Sequence, residues 1–218
     1  METAFTPMAT IVIGGHSRDV GKTSVVAGLI AALPELRWTA FKITQYGHGI
    51  CSRKGKVCHC ACATADHSWA ISEEEDRSGE SDTSRFLLAG AERAWWVRSE
   101  QGRLGEAMPT IQGKLAESEN AIVESNSILG FLSPDLYLTV LDPATGDFKP
   151  SAREFLELAD AVILHDKTSR AGIEGWGVDL HPVGKPRPIF RIQPPNYVDR
   201  EIVQFVQQRL AQSSGRRL

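Results

Sequence analysis

Ile11-Val12-Ile13-Gly14-Gly15-His16-Ser17-Arg18-Asp19-Val20-Gly21-Lys22-Thr23-Ser24 is the stretch on which the fold turns. An apolar run ends at a glycine pair. Beyond the loop, Val25, Val26, Leu29, Ile30 and Leu33 recur on one helical face until Pro34 stops the helix. A glycine-containing loop between a strand and a helix is what a phosphate cradle requires, because successive backbone N–H groups and the positive end of the helix dipole then face the anion. Lys22 can reach terminal phosphates, the Thr23 hydroxyl can ligate Mg²⁺, and Gly21 lets the backbone come close. Gly15, His16, Ser17, Arg18, Val20, Gly21, Lys22, Thr23 and Ser24 are therefore the expected nucleotide-binding set.

The spacing departs from the common G-x-x-x-x-G-K-[ST] by one residue: His16 stands where the first glycine would be, and Gly15 comes one position early. Gly15-His16-Ser17-Arg18-Asp19-Val20-Gly21-Lys22-Thr23 resembles the loop of dethiobiotin synthetase, which has the form G-T-x-x-x-V-G-K-T.

Further β-rich runs fall at residues 38–43, 94–97, 121–124, 136–141, 161–164 and 189–192. Helical patterns at 83–89, 103–116 (with a kink expected at Pro109), 152–158 and 198–210 separate most of them. This alternation predicts an α/β fold of three layers, a doubly wound and mostly parallel sheet with helices on both faces. One domain over residues 1–211 is expected, with a disordered tail at 212–218. Residues 45–81, rich in Cys, His and acidic side chains, and residues 168–188, rich in Gly and Pro, break the rhythm and read as functional or capping insertions.

In Ala121-Ile122-Val123-Glu124-Ser125-Asn126-Ser127 a strand delivers Glu124 at its carboxyl end, where open α/β sheets place ligands, so Glu124 is a candidate for Mg²⁺ or its water. Ser81-Asp82-Thr83-Ser84-Arg85 opens a helix: Asp82 or Thr83 reads as its cap, and Asp82 equally as a ligand of Mg²⁺. Catalysis would then rest on Lys22, Glu124 and Asp19, with Asp82 assisting. Lys42, Gln45, Tyr46 and His48 follow the second strand at the same end, open to a phosphate or a second substrate or to plain packing.

Gly21-Lys22-Thr23, Phe41-Lys42 on the second strand, the block 82–91 with Ala89-Gly90-Ala91, and Val123-Glu124 together resemble the molybdopterin-guanine dinucleotide biosynthesis adapter B family. Its relatives in the same P-loop superclass include dethiobiotin synthetase and the nickel-insertion GTPases. The resemblance runs from about residue 10 to residue 166 and is most specific at the loop. It implies Mg²⁺-dependent nucleotide binding and frequently a homodimer with the nucleotide near the subunit interface. Nickel-insertion GTPases read guanine with Asn-Lys-x-Asp after a strand, whereas this chain has His165-Asp166-Lys167-Thr168, so ATP and GTP both stay open.

All four cysteines, Cys51, Cys58, Cys60 and Cys62, fall in one short stretch with His48, His59 and His67 near them. Cys58-His59-Cys60-Ala61-Cys62 would put three thiols on one side of an extended segment, able to hold zinc or an iron–sulfur cluster, yet the spacing matches neither paired C-x-x-C nor a ferredoxin run. Metal binding and free thiols both stand. The run Glu73-Glu74-Glu75-Asp76 reads as a solvated loop.

With 42% apolar and 23% charged residues and a formal charge of -3, the composition is that of a globular protein with no broad electrostatic reason to bind nucleic acid. No apolar run approaches the roughly 20 residues that span a bilayer, and a cytoplasmic location is expected. Two functions from different classes follow. One is an ATP- or GTP-hydrolysing or ligase-like enzyme that activates a carboxylate, as dethiobiotin synthetase does. The other is a nucleotide-switched adapter or metallochaperone that meets a cofactor-assembly enzyme.

Overall fold

Strand β1 (Ala9–Gly15) is buried along its whole length, as a strand covered on both faces must be. Alternation sorts its side chains, with Ile11 and Ile13 in one core and Val12 in the other. The computed structural model describes residues 9–46, 52–53, 56–57, 67–166, 176–180 and 186–214. After β1 come α1 (Lys22–Ala32), β2 (Trp38–Tyr46), the short pair β3 (Ser52–Arg53) and β4 (Lys56–Val57), β5 (Trp69–Glu73), α2 (Asp82–Leu88) and β6 (Arg93–Glu100). The chain continues with α3 (Leu104–Ala116), β7 (Asn120–Glu124), β8 (Leu136–Leu141), α4 (Pro150–Phe155), β9 (Ala161–His165), β10 (Ile189–Ile192) and α5 (Arg200–Ser214).

One sheet has eight strands in the order β10-β9-β8-β1-β7-β2-β6-β5. Its neighbours run parallel except β5, which is antiparallel to β6. Helices α1, α2 and α5 cover the face of Ile11 and Ile13 through Val25, Leu29, Phe86, Ile202 and Val206. Helix α3 covers the other face, packing Leu104, Met108 and Ile111 on Val12, Phe41 and Val97. The expected three-layer α/β arrangement is thus present. Strand β1 lies between β7 and β8, with β2 beyond β7, so the chain winds to both sides of it. The crevice at its carboxyl end is the natural ligand position.

Several boundaries differ from the sequence reading for local reasons. Strands β2 and β6 run three residues further, to Tyr46 and Glu100, because they pair with each other from Thr39↔Arg93 through Tyr46↔Glu100. Part of the expected insertion at 45–81 is sheet: β5 closes the edge, held by a bidentate Arg93–Glu73 pair and by Arg98 donating to Ser72 Oγ at 3.1 Å. The cysteines Cys51, Cys58, Cys60 and Cys62 lie outside the described residues. Pro109 sits exposed inside α3, and the helix continues through it. The helix expected at 152–158 begins instead at Pro150, in the favoured first-turn position, and tightens to a 3₁₀ turn at Leu156–Leu158. Helix α5 runs on to Ser214, three residues into the stretch expected to be a tail.

Candidate functional site

Residues 16–21 carry the chain from β1 into α1. Gly21 is the N-cap of α1 at φ 89° and ψ 14°, a left-handed conformation that glycine adopts without strain. No side chain caps that helix, so its first N–H groups and dipole remain for an anion. Glycine is also required by contact, since a Cβ on Gly21 would lie 2.2 Å from Tyr197 Cε1.

Lys22 donates from Nζ to the Ser17 carbonyl at 2.5 Å, so its ammonium folds back over the loop. Burial pushes Lys22 down to about 8, against the pull of Glu124, and the charges of Lys42 and Lys149 add to the depression. A phosphate oxygen in place of the Ser17 carbonyl would favour the charged ammonium further.

Beside it the Thr23 hydroxyl donates to Glu124 Oε2 at 2.8 Å, and Glu124, only 2% exposed, takes a second bond from Lys42. Lys42 Nζ also meets Asp82 Oδ2 at 2.8 Å and Thr23 Oγ1 at 3.4 Å. Burial alone would lower Lys42, but Glu124 and Asp82 overcome it and hold the ammonium above the ordinary lysine range. Burial works to raise Asp82, and Lys42 outweighs it, keeping the carboxyl below its usual range. One hydroxyl and two carboxylates thus converge on a single cation at the start of α1. Hard oxygens of this kind are those that Mg²⁺ takes, and here the ammonium of Lys42 lies among them.

Three other loops fix the glycine loop. Asn126, two residues past Glu124, donates Nδ2 to the Gly15 carbonyl at 2.8 Å and accepts from Gly15 N–H at 2.9 Å. A Cβ on Gly14 would come within 2.2 Å of Asn126 Oδ1, so that glycine keeps the clamp seated. From behind, the His16 ring is fully buried between Phe148, at 5.3 Å between centroids, and Trp176, at 4.7 Å. Its Nε2 faces the Thr145 carbonyl at 3.3 Å, its N–H reaches Val140 O at 3.3 Å, and its carbonyl accepts from Lys149 N–H at 2.9 Å. Burial lowers the imidazole below its ordinary range, against those backbone bonds and Asp142. Ser17 Oγ donates to Asp147 Oδ2 at 2.9 Å.

The expected binding set is therefore split. Lys22, Thr23 and Glu124, with Asp82 and Lys42, come together. His16 does not join them, since its ring and both backbone polar groups are committed to the protein. Val20 is likewise core, 0% exposed and packed under Gly15. Ser24 Oγ accepts from Arg85 at 3.0 Å. Arg18 and Asp19 are exposed, and Asp19 takes φ 55°, left-handed for a non-glycine residue. The cap of α2 is Ser81, in a reciprocal capping box with Ser84, and neither Asp82 nor Thr83 fills that role. This frees Asp82 for Lys42, while Thr83 donates to Glu74 Oε2 at 2.7 Å. Asn126, Lys149 and Tyr197 went unread. The available signal was position, because Asn126 follows β7 and Lys149 precedes the helix-opening Pro150 after β8, both at the ligand end of central strands.

A groove of about 650 Å³ runs beside the loop along the outer face of α1, lined by Ser24, Gly28, Arg85, Asn196, Tyr197 and Arg200 among others. Among the described residues no group of three or more His, Cys, Asp or Glu could hold a metal; Asp82 and Glu124 make a pair beside Thr23. No described helix is long and apolar enough to cross a membrane.

No family model matches the chain, and no curated protein matches it in sequence. Among solved structures, HypB from Helicobacter pylori in complex with nickel is similar over 95% of this chain and 87% of its own, at 13% identity and a TM-score of 0.46. LpxK from Aquifex aeolicus in complex with ATP is similar over 85% of this chain and 53% of its own, at 20% identity and a TM-score of 0.45. Similarity at that level says nothing of this chain's ligands, and the site rests on its own geometry: a glycine loop between strand and helix in a three-layer α/β fold.

Proposed function

We infer that the chain binds a magnesium nucleoside triphosphate on residues 15–24 and hydrolyses it, acting as a nucleotide-switched adapter or metallochaperone in cofactor or metal-centre assembly. The observation that carries this reading is the convergence of Thr23 Oγ1, Glu124 and Asp82 on one cation position at the first turn of α1, beside Lys22.

Thr23, Glu124 and Asp82 would hold Mg²⁺, which when bound would supply positive charge against the phosphates. Lys22 would leave the Ser17 carbonyl for a terminal phosphate oxygen and stabilise the charge that develops during transfer. Lys42, released from Glu124 and Asp82, would turn its ammonium toward the same phosphates. The uncapped start of α1 supplies backbone donors, and Asp19 is proposed to assist from the loop.

The switch follows from where Asp82 sits. It opens α2, whose cap Ser81 and neighbour Thr83 both donate to Glu74, next to edge strand β5. A pull on Asp82 is thereby passed to the sheet edge that ends the cysteine-bearing segment of the chain. Coupling between ligand and partner needs such an element with two positions.

Phosphate release from Mg·ATP and Mg·GTP is the test, with Thr23→Val as the control that removes one metal ligand. Turnover without any added acceptor, abolished in the variant, is expected. Turnover only with an added carboxylate would instead favour the ligase-like enzyme, and none under any condition would refute hydrolysis. Metal content per chain, compared with and without nucleotide, tests the metallochaperone role; a content that ignores nucleotide refutes it.

A further inference from the structure

Lys149 is a half-buried cation that none of the roles above uses. It is the N-cap of α4, in the extended conformation that a following proline favours, at φ -60° and ψ 144°. Its backbone is pinned to the phosphate loop: Lys149 N–H donates to the His16 carbonyl at 2.9 Å, Ser17 Oγ donates to Asp147 two residues earlier, and Phe148 stacks on the His16 ring. The side chain is therefore delivered from a fixed point beside residues 16–17.

Its electrostatic surroundings are mixed, with cations and carboxylates both near it. The charges of Arg18 and Lys42 act on Lys149, and Lys149 acts on Lys22. Among the described residues Lys42 has two carboxylates within ion-pair distance, while neither Lys149 nor Lys22 has any. Asp147 and Asp19 are near enough to be felt, though neither lies within ion-pair distance of Lys149, and Asp147 also accepts from Ser17 Oγ. Neighbouring cations repel one another, and an anion that meets several of them removes that repulsion.

Position along the ligand follows from its neighbours. Lys22 reaches the terminal phosphates of a nucleotide held on such a loop, and the metal oxygens beside Lys42 mark the same end. Ser24 and the groove along α1 lie further into the helix. We propose that Lys149 is a further phosphate-contacting residue, whose ammonium meets the terminal phosphate of a polyphosphate on the loop, so that the site prefers triphosphates to diphosphates. The proposal rests on the phosphate-site reading above.

The test is calorimetric titration of the full chain and of Lys149→Ala with Mg·ATP, Mg·ADP, inorganic tripolyphosphate and pyrophosphate. A charge-assisted contact to one phosphate implies a loss of about tenfold or more for the two triphosphates and less than about twofold for the two diphosphates. Lys149→Arg should keep most of the wild-type affinity. Melting temperature should not move, since the alanine variant retains the N–H that bonds His16. Unchanged triphosphate affinity in Lys149→Ala, or an equal loss for diphosphates, overturns the proposal. A wild-type chain that binds no polyphosphate overturns the phosphate site itself, which separates the two failures.

Discussion

Gly21→Ala puts the loop geometry under the most demanding strain. The substitution acts in two ways that can be separated. At φ 89° an alanine sits in the left-handed region, which costs about 1–2 kcal/mol. Its Cβ would also lie 2.2 Å from Tyr197 Cε1 and 2.8 Å from Cδ1, closer than any real contact, so the tyrosine ring must move. That ring packs against the α1 core and lies edge-on to His165 at 5.8 Å, so displacing it costs about 1–3 kcal/mol more. The total is about 2–5 kcal/mol, read by denaturant unfolding of the purified variant. Tyr197→Ala in the same background should return the steric part, giving a coupling of about 1–3 kcal/mol and leaving the φ cost in place. Triphosphate affinity should fall in Gly21→Ala and recover only in part in the double variant. A neutral Gly21→Ala, or a cost that is the same with and without Tyr197, would refute the contact and the loop conformation behind it.

Three further perturbations probe the parts that hold the site. His16 is kept neutral by burial, so the unfolded chain takes up its proton first, near pH 6.5, and stability should fall as pH drops below that value; His16→Phe should flatten this acid slope in thermal melts, and an unaltered slope would show that His16 does not titrate. Lys42→Met leaves the buried Glu124 carboxylate without its cation and should destabilise the fold by about 3–5 kcal/mol. Added Mg²⁺ should raise the melting temperature of that variant more than that of the wild type, and no such rescue would count against the metal site. Asn126→Ala removes both bonds to Gly15 and should cost about 2 kcal/mol together with loss of triphosphate affinity, checked by melting and titration on one sample.

Much of this was legible in the chain because local and global signals coincide around the loop. Ile11-Val12-Ile13 had to be a doubly covered strand, Gly21-Lys22-Thr23 had to open a helix, and Pro34 had to end it; each of these elements is present. Glu124 was readable for the same reason, standing at the end of an apolar run in a parallel sheet. What failed to show was what depends on distant pairing. Strand β5 is five residues, only one of them buried, in an acidic context, and only β6 makes it a strand. His16 was read into the binding set because it lies within the loop, yet Phe148 and Trp176, more than a hundred residues away, turn it into a buried brace. Asp82 looked like a cap because Ser81, one residue earlier, could not be told from it by type alone.

Titration of the wild-type chain and of Lys22→Ala with Mg·ATP and Mg·GTP bears most directly on the phosphate site. Lys22 is the first residue of α1 and among the described residues its ammonium bonds only the Ser17 carbonyl of the neighbouring loop, so its alanine variant should fold as the wild type does. The wild type should bind at least one of the two triphosphates, and Lys22→Ala should weaken that binding by about a hundredfold, or ~2.7 kcal/mol. Equal affinity in the two chains, or no binding of either nucleotide to the wild type, would contradict the assignment of residues 15–24 as the seat of the nucleotide.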